Sequence, residues 1–231
     1  IQASRRDDRA TGDLLDEELL GTLLVAAHER GIAVVAWYLP RFDNVAADLA
    51  RAVAVANFRY EGHQFDGLGI DIEFTTDVPD HEVRNRRLVE FSRDLDTGVG
   101  DTTALSAIVL PTVQLEVINE AFWPEFPWSD LAPHYDIWLP MAYSTTRTVD
   151  SGYREAARYA IESTERMRAR LGDDTAPVHL IGGIGTDMVP EDFDGLVEAQ
   201  DRTDALGLSV YDWNSLSDAL REEMSAAFGD G

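Results

Sequence analysis

The sequence predicts an α/β protein, a (β/α)8 TIM barrel whose first strand is missing from the N-terminus of the chain. Three observations lead there. Short apolar runs of strand type alternate with amphipathic stretches of helical period, the pattern of repeated β-α units around a parallel sheet. These runs begin roughly every 30 to 40 residues, the spacing of one barrel unit. The length of 231 residues is close to that of one barrel, and with 45% of residues hydrophobic a full core can be buried. Residues 1–231 therefore read as a single domain, with no linker, short-period repeat or low-complexity segment.

In chain order the expected strands are Ile1–Ala3, Ile32–Trp37, Gly67–Phe74, Ala104–Leu110, Asp136–Tyr143, Val178–Ile181 and Leu208–Trp213. Between them the helices have readable ends. Asp16 suits an N-cap for a helix carrying Leu19, Leu20, Leu23, Leu24 and Ala27, closed by Gly31. Asp43 or Asn44 can cap the next, with Val45, Leu49 and Val53 as its stripe. A helix from Ser151 carries Tyr153, Ala157, Ile161, Thr164 and Leu171, and Pro190 fits a first helical position ahead of Phe193, Leu196 and Val197. A last helix carries Leu216, Leu220, Ala227 and Phe228. A doubly wound open sheet is the rival architecture, but neither G-x-G-x-x-G nor a G-x-x-x-x-G-K-[ST] loop supports it.

Composition narrows the function classes. Nineteen basic residues, every one an arginine, stand against 43 acidic ones, for a formal charge of -24. Such a surface repels phosphate backbones and anionic lipid, so no nucleic-acid partner and no membrane insertion are expected. No apolar run reaches the ~18 residues that span a bilayer. Zero cysteine excludes a disulfide framework, a thiolate metal site and a cysteine nucleophile. His28, His63, His81, His134 and His179 show no ligand spacing, so neither a metal nor any other cofactor is expected. The chain opens on Ile1-Gln2-Ala3-Ser4, without the charged and apolar regions of a signal peptide, as though upstream residues had been trimmed.

The stretch Asp66-Gly67-Leu68-Gly69-Ile70-Asp71-Ile72-Glu73 carries the chemistry. Alternation along a strand puts Asp71 and Glu73 on one face, with Cα atoms roughly 6.6 Å apart at about 3.3 Å per residue. At the C-terminal end of a barrel strand that face looks into the mouth where active sites sit. Two adjacent carboxyls do not both ionise freely, so one is expected to be a general acid and the other to remain charged. The bland alternative is that either acid pairs with an arginine or caps a loop.

This stretch resembles the D-G-x-D-x-D-x-E strand of glycoside hydrolase family 18, the chitinases and chitinase-like proteins. Met141-Ala142-Tyr143 is similar to that family's M-x-Y, and Trp213 stands where the family places a tryptophan beneath the sugar ring. The resemblance implies a barrel glycosidase acting on a β-linked, N-acetylhexosamine-containing glycan. Glu73 would be the proton donor, Asp71 its charged partner toward the N-acetyl group, and Tyr143 a hydrogen-bond donor to the acetamido oxygen. The pattern is broken at Gly69, where the family has an inner Asp, and at Ser144, where it has Asp. The third strand, ending Ala36-Trp37-Tyr38-Leu39-Pro40, also lacks the family's small-residue S-x-G-G. Gly69 and Ser144 favour the alternative of a non-catalytic, chitinase-like carbohydrate-binding barrel.

Other substrate-binding candidates are Trp37 and Tyr38 after the third strand, Tyr211 two residues before Trp213, Met141, and Asp66, which ranks lowest because it precedes the active strand end. Trp123 and Trp128, in Phe122-Trp123-Pro124-Glu125-Phe126-Pro127-Trp128, read as a satellite hydrophobic cluster in preference to a sugar platform. A third class, a phosphosugar enzyme, is suggested by Ile181-Gly182-Gly183-Ile184-Gly185-Thr186, since glycines before a helix can cradle an anion. Arg84-Arg86-Arg87 and Arg166-Arg168-Arg170 read as solvated helix faces paired with nearby Glu. A glycan-directed role would suit an extracellular or cell-surface setting.

Overall fold

The computed structural model describes residues 1–6, 12–100 and 103–228. Strands and helices alternate along it as expected: α1 (Glu17–His28), β1 (Val35–Tyr38), α2 (Val45–Ala56), β2 (Gly67–Ile72), α3 (His81–Val99) and β3 (Ala104–Val109) come first. The short α4 (Trp128–Leu131), β4 (Ile137–Pro140), α5 (Ala156–Leu171), β5 (His179–Ile184), α6 (Pro190–Thr203), β6 (Gly207–Tyr211) and α7 (Asp218–Phe228) follow.

The eight-stranded TIM barrel does not form. Among the described residues the strands make a four-stranded parallel sheet of order β1-β2-β3-β4 and a separate two-stranded parallel sheet, β5-β6. Residues expected as the first strand in hand, Ile1–Ala3, contribute one isolated bridge, Gln2 to Trp37. Between β4 and β5 only the isolated bridges Trp138–Val178 and Met141–Ile181 occur. Pro140 and Pro177 lie in these segments and have no N–H to offer a ladder, which accounts for the break there.

The chain divides into two compact units, Ile1–Ile108 with Trp123–Ile137, and Val109–Phe122 with Trp138–Gly231. In the first, β1 runs beside β2 in register, Val35 opposite Gly67 and Trp37 opposite Gly69. Asp16 caps α1 by accepting from Leu19 N–H, and Asn44 caps α2 by accepting from Ala47 N–H. The apolar stripes are narrower than expected. Leu20 and Leu24 are buried on α1 while Leu19 and Leu23 are exposed. On α2 the buried face is Asp48, Ala52, Val55 and Ala56, because Asp48 is taken inside by Tyr38 OH (2.5 Å) and Phe42 N–H (2.8 Å). Arg6 reaches the same carboxylate at 3.3 Å and also pairs with Asp43.

Trp123, Phe126 and Trp128 are buried in this unit with their rings against one another, the hydrophobic cluster the sequence suggested. One arginine expected at a solvated helix face belongs to it. Arg84 is 2% exposed, with its guanidinium 4.4 Å from the Trp123 ring centroid and donating to Val78 O at 2.7 Å. Asn85 beside it accepts from Trp123 Nε1 (2.6 Å) and donates to Glu125 O (2.7 Å). The indole is thereby fixed from both edge and face. Arg166 and Arg170 do lie on a solvated face, paired with Glu162 and Glu116.

In the second unit α5 begins at Ala156, capped by Glu155, and not at Ser151. Gly152 takes φ +73 after a 3-10 turn at Val149–Ser151, a left-handed position that ends any helix started earlier. Pro190 opens α6 as expected. The last strand ends at Tyr211, two residues short of Trp213, which instead begins a 3-10 turn, Trp213–Ser215. Asp212 caps that turn by accepting from Ser215 N–H at 3.0 Å.

Candidate functional site

All six residues of β2 are buried, which is why its sequence is glycine and branched aliphatics broken only by Asp71. Asp71 is 8% exposed, and its Oδ1 has no hydrogen-bond partner among the described residues. Glu73 lies one residue past the strand end and is half-buried. Burial pushes the Asp71 carboxyl well up, and the Glu73 charge pushes it further. Burial also pushes Glu73 up. The upward push is the stronger on Asp71, the residue expected to hold the charge, and no donor to its Oδ1 lies among the described residues to offset it.

The other buried carboxyls mark the contrast. Asp48 collects Tyr38 OH, Phe42 N–H and Arg6, and Asp192 takes the Arg154 guanidinium and Val189 N–H. Both are spent on structure, whereas Asp71 is not. The space beside Gly69, two residues back on the Asp71 face, is filled by hydrocarbon. A Cβ there would lie 2.9 Å from Ile108 Cδ1 and 3.4 Å from Trp37 Cβ.

The remaining candidates of the first unit are placed as follows. Trp37 is half-buried opposite Gly69. Tyr38 is fully buried with its hydroxyl on Asp48, and burial followed by the Asp48 charge pushes that hydroxyl up. Asp66 sits at the start of β2, the end remote from Asp71, where it accepts from Val34 N–H (2.6 Å) and pairs with His28 Nε2 (3.0 Å). These contacts join the approach to β1, the end of α1 and the start of β2.

Within the second unit Tyr143 and Tyr211 come together, with ring centroids 6.3 Å apart and planes inclined by 33°. Tyr211 is about half exposed and Trp213 is 66% exposed, with the Arg221 guanidinium 5.0 Å from its ring centroid. Met141 is buried and bridged to Ile181, and Ser144 is buried at the start of a 3-10 turn. The glycines that follow the expected strand Val178–Ile181 are closed by packing where a Cβ would stand. A Cβ on Gly183 would meet Thr145 Oγ1 at 3.0 Å, and one on Gly185 would meet Ser215 Oγ at 2.7 Å and Leu216 N at 3.1 Å. Among the described residues no cluster of three His, Asp or Glu is arranged to hold a metal, and no helix is long and apolar enough to cross a membrane.

Ile108 is the site residue that sequence reasoning missed. A bulky aliphatic inside an apolar strand carries no signal by itself, and only the placing of β3 next to β2 in the sheet sets it beside Gly69.

No protein-family model matches the chain, and no curated protein matches it in sequence. Its fold is similar to that of the chitinase domain of the spore coat protein CotE from Clostridium difficile, known from a crystal structure, with a TM-score of 0.54 and 14% sequence identity. The similarity covers 78% of this chain and 57% of that one, so the chain spans little more than half of the chitinase domain. The likeness is one of fold.

Proposed function

We propose that the chain is a glycoside-hydrolase-like domain that cleaves a β-linked, N-acetylhexosamine-containing glycan, with Glu73 as the acid/base residue and Asp71 as its carboxyl partner. The observation that carries this is Asp71 itself, a buried carboxyl with an unspent oxygen beside a second carboxyl at the end of the same strand. A carboxyl held up by burial keeps its proton to a higher pH, which suits Glu73 to proton donation toward a leaving oxygen. The chitinase-like fold supports the same reading. Within the second unit, taken by itself, Tyr143, Tyr211 and Trp213 offer aromatic faces of the kind that pack on the apolar side of a pyranose. Trp37 and Met141 are lesser candidates, and Tyr38 and Asp66 act through the scaffold.

The test is hydrolysis of chitooligosaccharides and peptidoglycan fragments by the wild type and by Glu73→Gln. Loss of an acid/base group typically removes about 100- to 10,000-fold of the rate. Equal turnover by the two proteins sinks the assignment of Glu73. A second reading, a domain that binds such glycans without cleaving them, is favoured by the hydrocarbon beside Gly69. It predicts calorimetric binding with no turnover by either protein.

A further inference from the structure

At the level of Gly69 the two neighbouring strands fill the face that carries Asp71 with carbon. Trp37 of β1 stands opposite Gly69, and Ile108 of β3 reaches over it. With no side chain on Gly69, Ile108 Cδ1 occupies the volume that a residue there would take, 2.9 Å from an ideal Cβ position, with Cγ1 at 3.5 Å. Asp71 lies two residues along the same face, buried and with Oδ1 unpartnered. Ionising a carboxyl so placed is costly, because no donor to Oδ1 among the described residues offsets the hydration lost on burial.

We propose that Ile108 is a positioning residue for Glu73: by filling the space beside Gly69 it keeps water from Asp71, so that Asp71 stays un-ionised and Glu73 is the member of the pair that gives and takes a proton. This rests on the acid-pair reading above and deepens it. The groups packed around Asp71 in its unit leave little else to set its charge. β1 brings Trp37 to this face, while Tyr38 turns to Asp48. β3 brings Ser106, which donates to Leu68 O, and Ile108, neither of which titrates. Just past the end of β2 the neighbour is Glu73, the one charge that acts on Asp71 among the described residues. Asp71 then holds its proton as a fixed carboxylic acid, and the proton exchanged with a ligand is that of Glu73, the more exposed member.

Infrared difference spectroscopy of the whole chain reads this without needing turnover. At neutral pH the wild type should show the carbonyl band of an un-ionised carboxylic acid, absent from Asp71→Asn. Ile108→Ala opens the floor to water, and the band should titrate away at a pH lower by about one unit, a tenfold change in proton affinity. Ile108→Val removes only Cδ1 and should move it part of the way, while Ile108→Leu should restore the wild-type titration. Persistence of the band in Asp71→Asn overturns the proposal, and so does an unchanged titration in Ile108→Ala or, should that variant not fold, in Ile108→Val. Absence of glycan cleavage would remove the glycosidase reading and leave this result standing, since the spectrum reports the carboxyl alone.

Discussion

Replacing Arg84 by alanine should cost the first unit about 3 to 4 kcal/mol of stability. The guanidinium lies 4.4 Å from the Trp123 ring centroid in a nearly solvent-free setting, where a cation–π contact contributes about 2 kcal/mol. Its hydrogen bond to Val78 O, 2.7 Å long, contributes about 2 kcal/mol as a charge-assisted bond. The two methylenes lost beyond Cβ are worth about 1.6 kcal/mol of burial. Against this, Arg84 Nε is buried without a partner and its removal returns about 2 kcal/mol. Arg84→Met keeps the hydrocarbon against Trp123, adds a sulfur–aromatic contact and removes the unpaired Nε, so it should cost only about 1 kcal/mol. Urea denaturation followed by tryptophan fluorescence and circular dichroism measures both. A loss below about 1 kcal/mol for the alanine variant, or equal losses for the two, would refute the view that the charge and the stem contribute separately.

The buried pair makes stability depend on pH. Because the folded chain holds the Asp71 proton more tightly than the unfolded chain, the group's stabilising effect is complete below its unfolded value near pH ~3.9 and is lost as pH rises toward its folded value, by about 1.4 kcal/mol per unit of displacement. Asp71→Asn should therefore gain on the wild type as pH rises from 4 to 7, and parallel stability curves would contradict the burial of an ionisable group there. Asp48→Asn presents an amide N–H2 to donors that need an acceptor, and should destabilise by about 3 kcal/mol in the same denaturation assay, with a smaller loss of about 1 kcal/mol for Tyr38→Phe.

What could be read from the sequence was what depends on near neighbours. Asp16, Asn44 and Pro190 mark helix starts because a cap is decided within three or four residues, and the structure puts them there. The alternation that predicts Asp71 and Glu73 on one face is equally local, and the Glu73 charge does act on Asp71. Arg84 was misjudged because glutamates at helical spacing were visible while Trp123, 39 positions away, was not known to lie over it. The closed barrel failed for a related reason. Strand-like runs say nothing about which runs are laddered together, and Pro140, which with Pro177 interrupts the β4–β5 pairing, lies inside an expected strand. Trp213 was assigned to a strand end by counting, yet Asp212 folds back on Ser215 and turns the chain before it.

Trp213 is pinned as well as exposed. Arg221 on α7 holds its guanidinium over the ring and donates to the Trp213 carbonyl at 3.1 Å. An indole free to swing would offer either side to a visitor and fix no direction of approach. With one side occupied, the ring becomes a one-sided shelf, and α7 decides which way it faces.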